Sequence, residues 1–98
     1  MYMKVYSGLE KTREPAIEVK VSRYSVTDSQ LSATVEGGML SKVPYNGELC
    51  SVVLDDTVNG QIEKVCKYVS YSFMVFDNPA TGETNIIGDN TLLFSVLY

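Results

Sequence analysis

The stretch that decides the fold covers residues 39–76 and reads MLSKVPYNGELCSVVLDDTVNGQIEKVCKYVSYSFMVF. Two Asn-Gly pairs, Asn46-Gly47 and Asn59-Gly60, divide it into three apolar runs rich in β-branched residues. A two-residue hairpin turn needs positive φ at both central positions, which Asn tolerates and Gly adopts freely. The pattern therefore predicts a central three-strand antiparallel meander. Its strands would cover residues 39–45, 48–58 and 61–76.

Two-residue turns also fix the strand register, and a shift of one residue moves every side chain to the opposite face. The second turn would place Val53 opposite Cys66 and Asp56 opposite Glu63, although two like charges opposed across a ladder are unfavourable. The predicted core face carries Met39, Val43, Cys50, Val52, Leu54, Val65, Val69, Tyr71, Phe73 and Val75. The other face is mixed and carries Leu40, Lys42, Leu49, Ser51, Val53, Asp55, Ile62, Lys64, Cys66, Tyr68, Ser70 and Ser72.

The alternative for this stretch is a helix over residues 57–70, which would make the fold α+β. Apolar residues recur there at helical spacing, namely Ile62, Val65, Cys66, Val69 and Phe73. Gly60 would lie in the first turn of that helix, and no capping box precedes it. We therefore favour the hairpin.

The rest of the chain predicts further strands at residues 1–7, 17–21, 31–35, 84–87 and 91–98, with a β-bulge at Ser22-Arg23. Turns are expected at residues 27–30, 37–38, 77–82 and 88–90, where Gly, Pro and short polar residues cluster. The sequence thus predicts a single all-β domain over residues 1–98, a small antiparallel sandwich or barrel of about eight strands.

The composition restricts the chemistry available to this acidic chain, whose net charge is −4. Histidine is absent, which excludes Ser-His-Asp and Cys-His catalysis and histidine-based zinc sites. Two cysteines are too few for a four-thiolate metal site. Asp56 with Glu63 is the one candidate carboxylate pair, and the preferred interpretation is two ordinary acids near a hairpin tip or a wrong register. We expect no catalytic residue, no cofactor and no metal.

The predicted register places Cys50 and Cys66 on opposite faces of the sheet, so they should not form a disulfide. The sequence contains no apolar segment typical of a signal peptide and no run of membrane-spanning length. We therefore expect reduced thiols, a cytoplasmic location (the host cell cytoplasm if the protein is viral) and no membrane contact.

The leading functional hypothesis is a non-enzymatic accessory protein that caps or inhibits a larger protein, or self-associates, through protein–protein contacts. Small viral and phage proteins often have this character. The hypothesis depends on the absence of catalytic side chains, on seven tyrosines and on an uncharged C-terminal stretch. The candidate interaction residues are Leu40, Lys42, Val53, Lys64, Tyr68, Leu93, Leu97 and Tyr98.

Two alternatives remain from other functional classes. One is a small-barrel binder of single-stranded nucleic acid that stacks bases on Tyr24, Tyr45 or Tyr68. Arg23, Lys42 and Lys64 would lie beside them, but the net negative charge makes nucleic acid an unlikely partner. The other is a virion or assembly component, which should self-associate.

Residues 91–98 are apolar on both faces, with Leu93 and Leu97 on one of them. Such a strand is stable in water only where both faces are covered. No Lys or Arg follows Lys67, and Pro79 lies in a predicted turn, so the usual protections of a strand edge are missing. Either the strand lies inside the domain between layers, or its outer face meets another chain. We expect its outer face or its free edge to be buried by a second copy or by a partner.

Overall fold

The computed structural model describes residues 1–11, 14–40, 46–72, 75–78 and 83–97. Those residues form seven strands and no helix, which confirms the all-β prediction and shows that the helix over residues 57–70 is wrong. Accordingly, no described helix is long and apolar enough to cross a membrane. The strands are β1 (Tyr2–Ser7), β2 (Ile17–Val26), β3 (Gln30–Leu40), β4 (Leu49–Asp56), β5 (Gly60–Ser72), β6 (Val75–Asn78) and β7 (Glu83–Val96).

All described strand pairs are antiparallel, and the strand order is β3-β2-β1-β4-β5-β7-β6. Because β3 also pairs with β7, six strands close into a barrel and β6 extends the sheet beside β7. The core lies inside the barrel, where closure removes most strand edges.

Buried and exposed side chains alternate along the strands, and the buried ones form this core. In β2, Ile17, Val19 and Val21 are buried while Glu18 and Lys20 between them are exposed. The same period of two runs through the other strands that line the barrel. The buried cluster contains Met3, Val5, Ile17, Val19, Val21, Leu31, Ala33, Val35, Cys50, Val52, Leu54, Cys66, Ile86, Leu92, Phe94 and Val96.

The predicted bulge is confirmed, because the β2–β3 register shifts between Lys20 and Arg23. The turn predicted at Gly37-Gly38 is wrong, since β3 continues through both glycines. Gly38 instead allows close strand contact: a Cβ built there would lie 2.5 Å from the carbonyl oxygen of Glu18. These glycines serve packing inside a strand rather than a chain reversal.

The second Asn-Gly hairpin exists, but its predicted register is wrong. Val53 pairs with Glu63 rather than Cys66, and Asp56 pairs with Gly60. Gly60 has φ of +88°, whereas no described residue other than glycine has positive φ. The connection is therefore a three-residue loop closed by a left-handed glycine, instead of a two-residue turn with positive φ at both Asn59 and Gly60. The resulting shift of three positions is odd, so it exchanges the two faces of β5.

The first predicted hairpin is also wrong. Asn46-Gly47 forms a turn, but β4 pairs with β1 and β5, while β3 pairs with β2 and β7. The residues between β3 and the turn, 41–45, lie outside the described part of the chain. An Asn-Gly pair indicates where the chain turns, and long-range packing of β1 decides which strand becomes the neighbour.

The predicted core face is consequently only partly correct. Cys50, Val52 and Leu54 are buried as predicted. Met39 and Val65, predicted to be buried, are 40% and 37% exposed, and Cys66 is fully buried on the face that was predicted to be mixed. Predicted core residues outside the described side chains are Val43, Val69, Tyr71, Phe73 and Val75.

The two strands predicted near the C-terminus are one strand, β7, so the turn at residues 88–90 is wrong. Gly88 has φ of +88° and lies where the β3–β7 register shifts, so a bulge accommodates it. Of the turn predicted at residues 77–82, Asp77 and Asn78 instead belong to β6 and pair with Thr84 and Glu83 of β7, and positions 79–82 are outside the described residues. Thr91 to Ser95 pair with both β3 and β5, so the predicted free edge does not exist there.

Candidate interaction surface

The eight predicted interaction residues do not form one cluster. Val53, Leu93 and Leu97 are half-buried and occupy outward-facing positions, whereas Lys64 belongs to the other alternation of β5, opposite the core residue Val52. The predicted grouping of Val53 with Lys64 on one face is thus wrong, because the register of β5 is shifted.

The four remaining predicted interaction residues have no described side chain. Leu40 pairs with Ile17, and Tyr68 pairs with Phe94, two positions opposite buried core residues. The side chains of Leu40 and Tyr68 are not among those described. Lys42 and Tyr98 lie outside the described residues altogether.

The outer surface of β4, β5 and β7 carries a group of partly exposed aliphatic side chains, which we name the β4–β5–β7 face. Its members are Leu49, Val53, Val65, Leu93 and Leu97. Val65 lies at its centre: it is 37% exposed, pairs with Ser51 of β4, and its carbonyl accepts the Leu97 amide at 2.8 Å. Three strands therefore hold this apolar surface in place.

The loop after β1 folds over part of this face. The Gly8 amide donates to the Leu49 carbonyl at 2.9 Å, and the Ser51 hydroxyl donates to the Gly8 carbonyl at 2.9 Å. Lys11 then reaches β5, where its Nζ donates to Glu63 Oε2 at 2.7 Å. These contacts connect residues distant in sequence and fix the loop beside the aliphatic side chains.

A groove of about 190 Å³ remains between this loop and the sheet. Its lining combines aliphatic, hydroxyl and charged groups, contributed by Lys11, Ser51, Val52, Val53, Glu63, Lys64 and Val65. The groove is large enough for a single side chain of a binding partner, and too small for a drug-sized ligand, which usually occupies 300 Å³ or more.

The outer surface of β1, β2 and β3 differs in character. Lys4 pairs with Glu18 at 3.7 Å, and Lys20 pairs with Glu36 at 3.3 Å, both between exposed side chains. Such pairs stabilise by at most about 1 kcal/mol each, since water screens them. This half of the barrel therefore mixes cross-strand ion pairs with two exposed apolar side chains, Tyr2 on β1 and Met39 on β3.

Tyr24 and Asp56 hold one end of the barrel together. Asp56 accepts the Val58 amide at 2.9 Å, the Asn59 side-chain amide at 2.9 Å and the Tyr24 hydroxyl at 3.2 Å. The Val58 amide and then the Asn59 side chain lower the pKa of Asp56. Asp56 and Glu63 are not opposed, because Glu63 lies opposite Val53 and binds Lys11; their apparent opposition came from the wrong register.

The two cysteines are free and fully buried, but the predicted reason is wrong: they lie directly opposite each other. Burial raises the pKa of Cys50 to about 12 and that of Cys66 to about 11, so neither thiol is activated as a nucleophile. Among the described residues, no group of three or more Cys, Asp or Glu side chains could hold a metal ion.

Sequence reasoning assigned Val65 to the core, left Leu49 of the mixed face out of the candidate interaction residues, and missed the Lys11–Glu63 contact. The sequence did contain a signal of the register error, because the predicted register opposed two like charges, Asp56 and Glu63. A three-residue loop removes that opposition. The functional interpretation must come from this surface alone, because comparisons with known protein families, curated proteins and solved structures find no match to this chain.

Proposed function

We propose that this chain is a non-enzymatic binding protein that acts through protein–protein contacts made by its β4–β5–β7 face. The observation that carries the proposal is the combination of aliphatic side chains and a groove on one face. Exposed apolar side chains also occur on β1 and β3, where Tyr2 and Met39 lie among cross-strand ion pairs, but the β4–β5–β7 face joins its aliphatic side chains to a groove of about 190 Å³. An apolar centre with a polar rim is the usual anatomy of a protein interface.

The surroundings of Val65 supply such a rim. Glu63 and Lys67 precede and follow it on the outer side of β5, and both are exposed. Lys11 binds Glu63 across the groove, so opposite charges border the aliphatic centre. Charges in this position guide association and exclude unsuitable partners more than they add affinity.

The groove beside Val53 and Val65 suits an anchoring side chain from the partner. Binding energy at interfaces concentrates where a side chain fills a pocket near the centre of the contact. The groove is bounded by two paired strands and by a loop with three inter-element hydrogen bonds, so little reorganisation is required on binding.

An accessory role, in which the chain caps or inhibits a larger protein, is the form of this proposal that we favour. A closed barrel offers a preformed, largely rigid surface. Of the tyrosines that the nucleic-acid alternative requires, Tyr24 is partly buried against the core and its hydroxyl donates to Asp56, so its ring is less available for stacking.

Site-specific photo-cross-linking tests the proposal. A benzophenone side chain replaces Val65 in one variant and Ser25 in a matched control, since Ser25 is exposed on β2 outside the proposed face. In extracts of the producing cells, the Val65 probe should give one defined protein adduct, and a Leu97→Lys substitution should remove it. Equal labelling from both positions, or labelling unaffected by Leu97→Lys, would refute the proposed face.

The same variants separate a foreign partner from a second copy of this chain. Native mass spectrometry of the purified wild type should show a monomer if the partner is foreign. A dimer or larger assembly that dissociates in Leu97→Lys would support the assembly-component alternative. Fluorescence anisotropy with single-stranded oligonucleotides at low salt should show no binding, and salt-sensitive binding would favour the nucleic-acid alternative.

A further inference from the structure

Cys50 and Cys66 are directly opposite each other on antiparallel strands, and both side chains are 0% exposed. Neighbouring hydrogen bonds show how the pair is oriented. The Leu49 carbonyl accepts a bond from the β1 side, and the Val65 carbonyl accepts one from the β7 side. The backbone N–H and C=O groups of successive residues point to alternate sides of a strand. Those of Cys50 therefore point toward β5, and those of Cys66 point toward β4.

Residues that exchange hydrogen bonds in this way have Cα atoms about 5.5 Å apart. Disulfides span Cα separations of roughly 4.4–6.8 Å, so the backbone is already at a suitable distance. The two side chains share the inner face of the sheet. The Cys50 thiol is already turned toward β5, because it donates to the carbonyl oxygen of Cys66 at 3.2 Å.

We infer that Cys50 and Cys66 form a redox-sensitive pair, which a low-molecular-weight disulfide such as oxidised glutathione converts to an intramolecular disulfide joining β4 to β5. One cysteine thiolate attacks a glutathione sulfur and expels the first glutathione thiolate. The second cysteine thiolate attacks the mixed disulfide and expels the other. The cysteines lose two protons and two electrons, and glutathione disulfide gains them as two thiols.

Burial sets the rate of this reaction. Neither thiol meets solvent in the closed barrel, so the β4–β5 hairpin must open transiently before the first attack. Burial also disfavours the thiolate, which further slows attack in the closed state. Opposite Cβ atoms lie roughly 4.5–5.5 Å apart in a sheet and 3.5–4.5 Å apart in a disulfide. A hydrogen-bonded pair lies at the wider end of the sheet range, so the strands must draw together by roughly 1 Å, and such strain makes a disulfide easy to reduce.

The experiment oxidises the full chain with glutathione disulfide in urea just below its unfolding transition, and then blocks remaining thiols with N-ethylmaleimide. Intact mass should show the loss of two hydrogen atoms, with neither maleimide nor glutathione attached. The oxidised protein should keep the wild-type near-ultraviolet circular dichroism and melt at a higher temperature. Dithiothreitol should restore the original mass and melting temperature.

A matched control moves one thiol from position 66 to position 64, the next residue on the same face of β5. The double variant Cys66→Ala, Lys64→Cys places the thiols diagonally, where residues in a sheet are roughly 7–8 Å apart. It should give glutathione adducts and no internal link. The inference is overturned if the diagonal variant links equally well. It is also overturned if wild type yields only glutathione adducts or linked dimers, or if oxidised wild type has lost its native dichroism, and these wild-type results decide even where the double variant is unstable.

Discussion

Gly38→Ala tests the interpretation that this glycine exists for close strand packing. A Cβ at position 38 would lie 2.5 Å from both the Glu18 carbonyl oxygen and the Val19 Cγ1, and 2.6 Å from the Val19 Cα. Ordinary contact begins near 3.4 Å, so β2 and β3 would have to separate by about 0.9 Å. Two of these three atoms belong to the backbone of β2, which no side-chain rotation can relieve.

The magnitude follows from two contributions. Overpacking a filled site costs about 1–3 kcal/mol. Weakening a ladder hydrogen bond beside the Val19–Gly38 pair adds roughly 1 kcal/mol. We therefore expect Gly38→Ala to reduce the free energy of unfolding by about 3 kcal/mol. For a domain of this size, that corresponds to a fall in Tm of about 12–24 °C.

Urea unfolding followed by circular dichroism measures the effect, and Gly60→Ala provides the control. A Cβ at Gly60 meets nothing within 4 Å, so that variant is strained only by its φ of +88°, at about 1–2 kcal/mol. If Gly38→Ala destabilises the protein no more than Gly60→Ala does, the close contact between β2 and β3 is not real and the reasoning fails.

Four further outcomes follow from the described contacts. Asp56→Asn should reduce the acid sensitivity of folding. Because the pKa of Asp56 is lowered in the folded state, the stability that its carboxylate contributes is present above the ordinary pKa of Asp and is lost as the pH falls below it. Urea titrations of wild type and variant should therefore converge in acid. Cys50→Ser should reduce the alkaline sensitivity of folding. Burial raises the pKa of Cys50 from 9.0 to about 12, so the stability it contributes is present below pH 9 and is lost progressively as the pH rises toward 12, which the same titrations measure. Under reducing conditions, native protein should not react with a thiol-specific dye at neutral pH, whereas urea-unfolded protein should react at both cysteines; a native reaction as fast as the unfolded one would contradict their burial. Leu97→Lys should change Tm by less than about 3 °C while altering assembly or partner capture, whereas unfolding would make that residue core.

Features encoded by neighbouring residues were predictable from the sequence. The alternation of Ile17, Val19 and Val21 with charged residues places one side of β2 in the core whatever strand lies beside it. The bulge after Val21 follows from the same pattern, because the apolar phase changes there. These predictions needed no knowledge of the tertiary fold.

Loop length was not predictable from the Asn-Gly pairs alone. The Asp56 carboxylate accepts the amides of Val58 and Asn59, and this local competition favours a three-residue loop over a two-residue turn. The length of this one loop determines which face each β5 side chain occupies, so the wrong loop length placed Val65 and Cys66 on the wrong faces. The error in the candidate surface and the error in the cysteine argument have this single origin.

Strand order was beyond local reasoning as well. β1 lies between β2 and β4, and the Lys11–Glu63 contact joins residues 52 positions apart. No periodicity in the sequence encodes such pairs, since they arise only when the sheet closes. The groove of the β4–β5–β7 face depends on this closure and on the loop after β1, so it could be described only from the structure.

Barrel closure also decides how the apolar C-terminal strand can take part in binding. The inner side chains Leu92, Phe94 and Val96 are in the core, and the strand has β3 and β5 as neighbours. A partner therefore finds no unpaired backbone along Thr91–Ser95 to which it could add a strand. A partner that binds at β7 must contact outward side chains such as Leu93 and Leu97. The shape and polarity of that surface therefore determine which partner binds. A substitution on that outer face can then change binding while leaving the barrel intact, because the hydrogen-bonded ladders that close the barrel do not depend on those side chains.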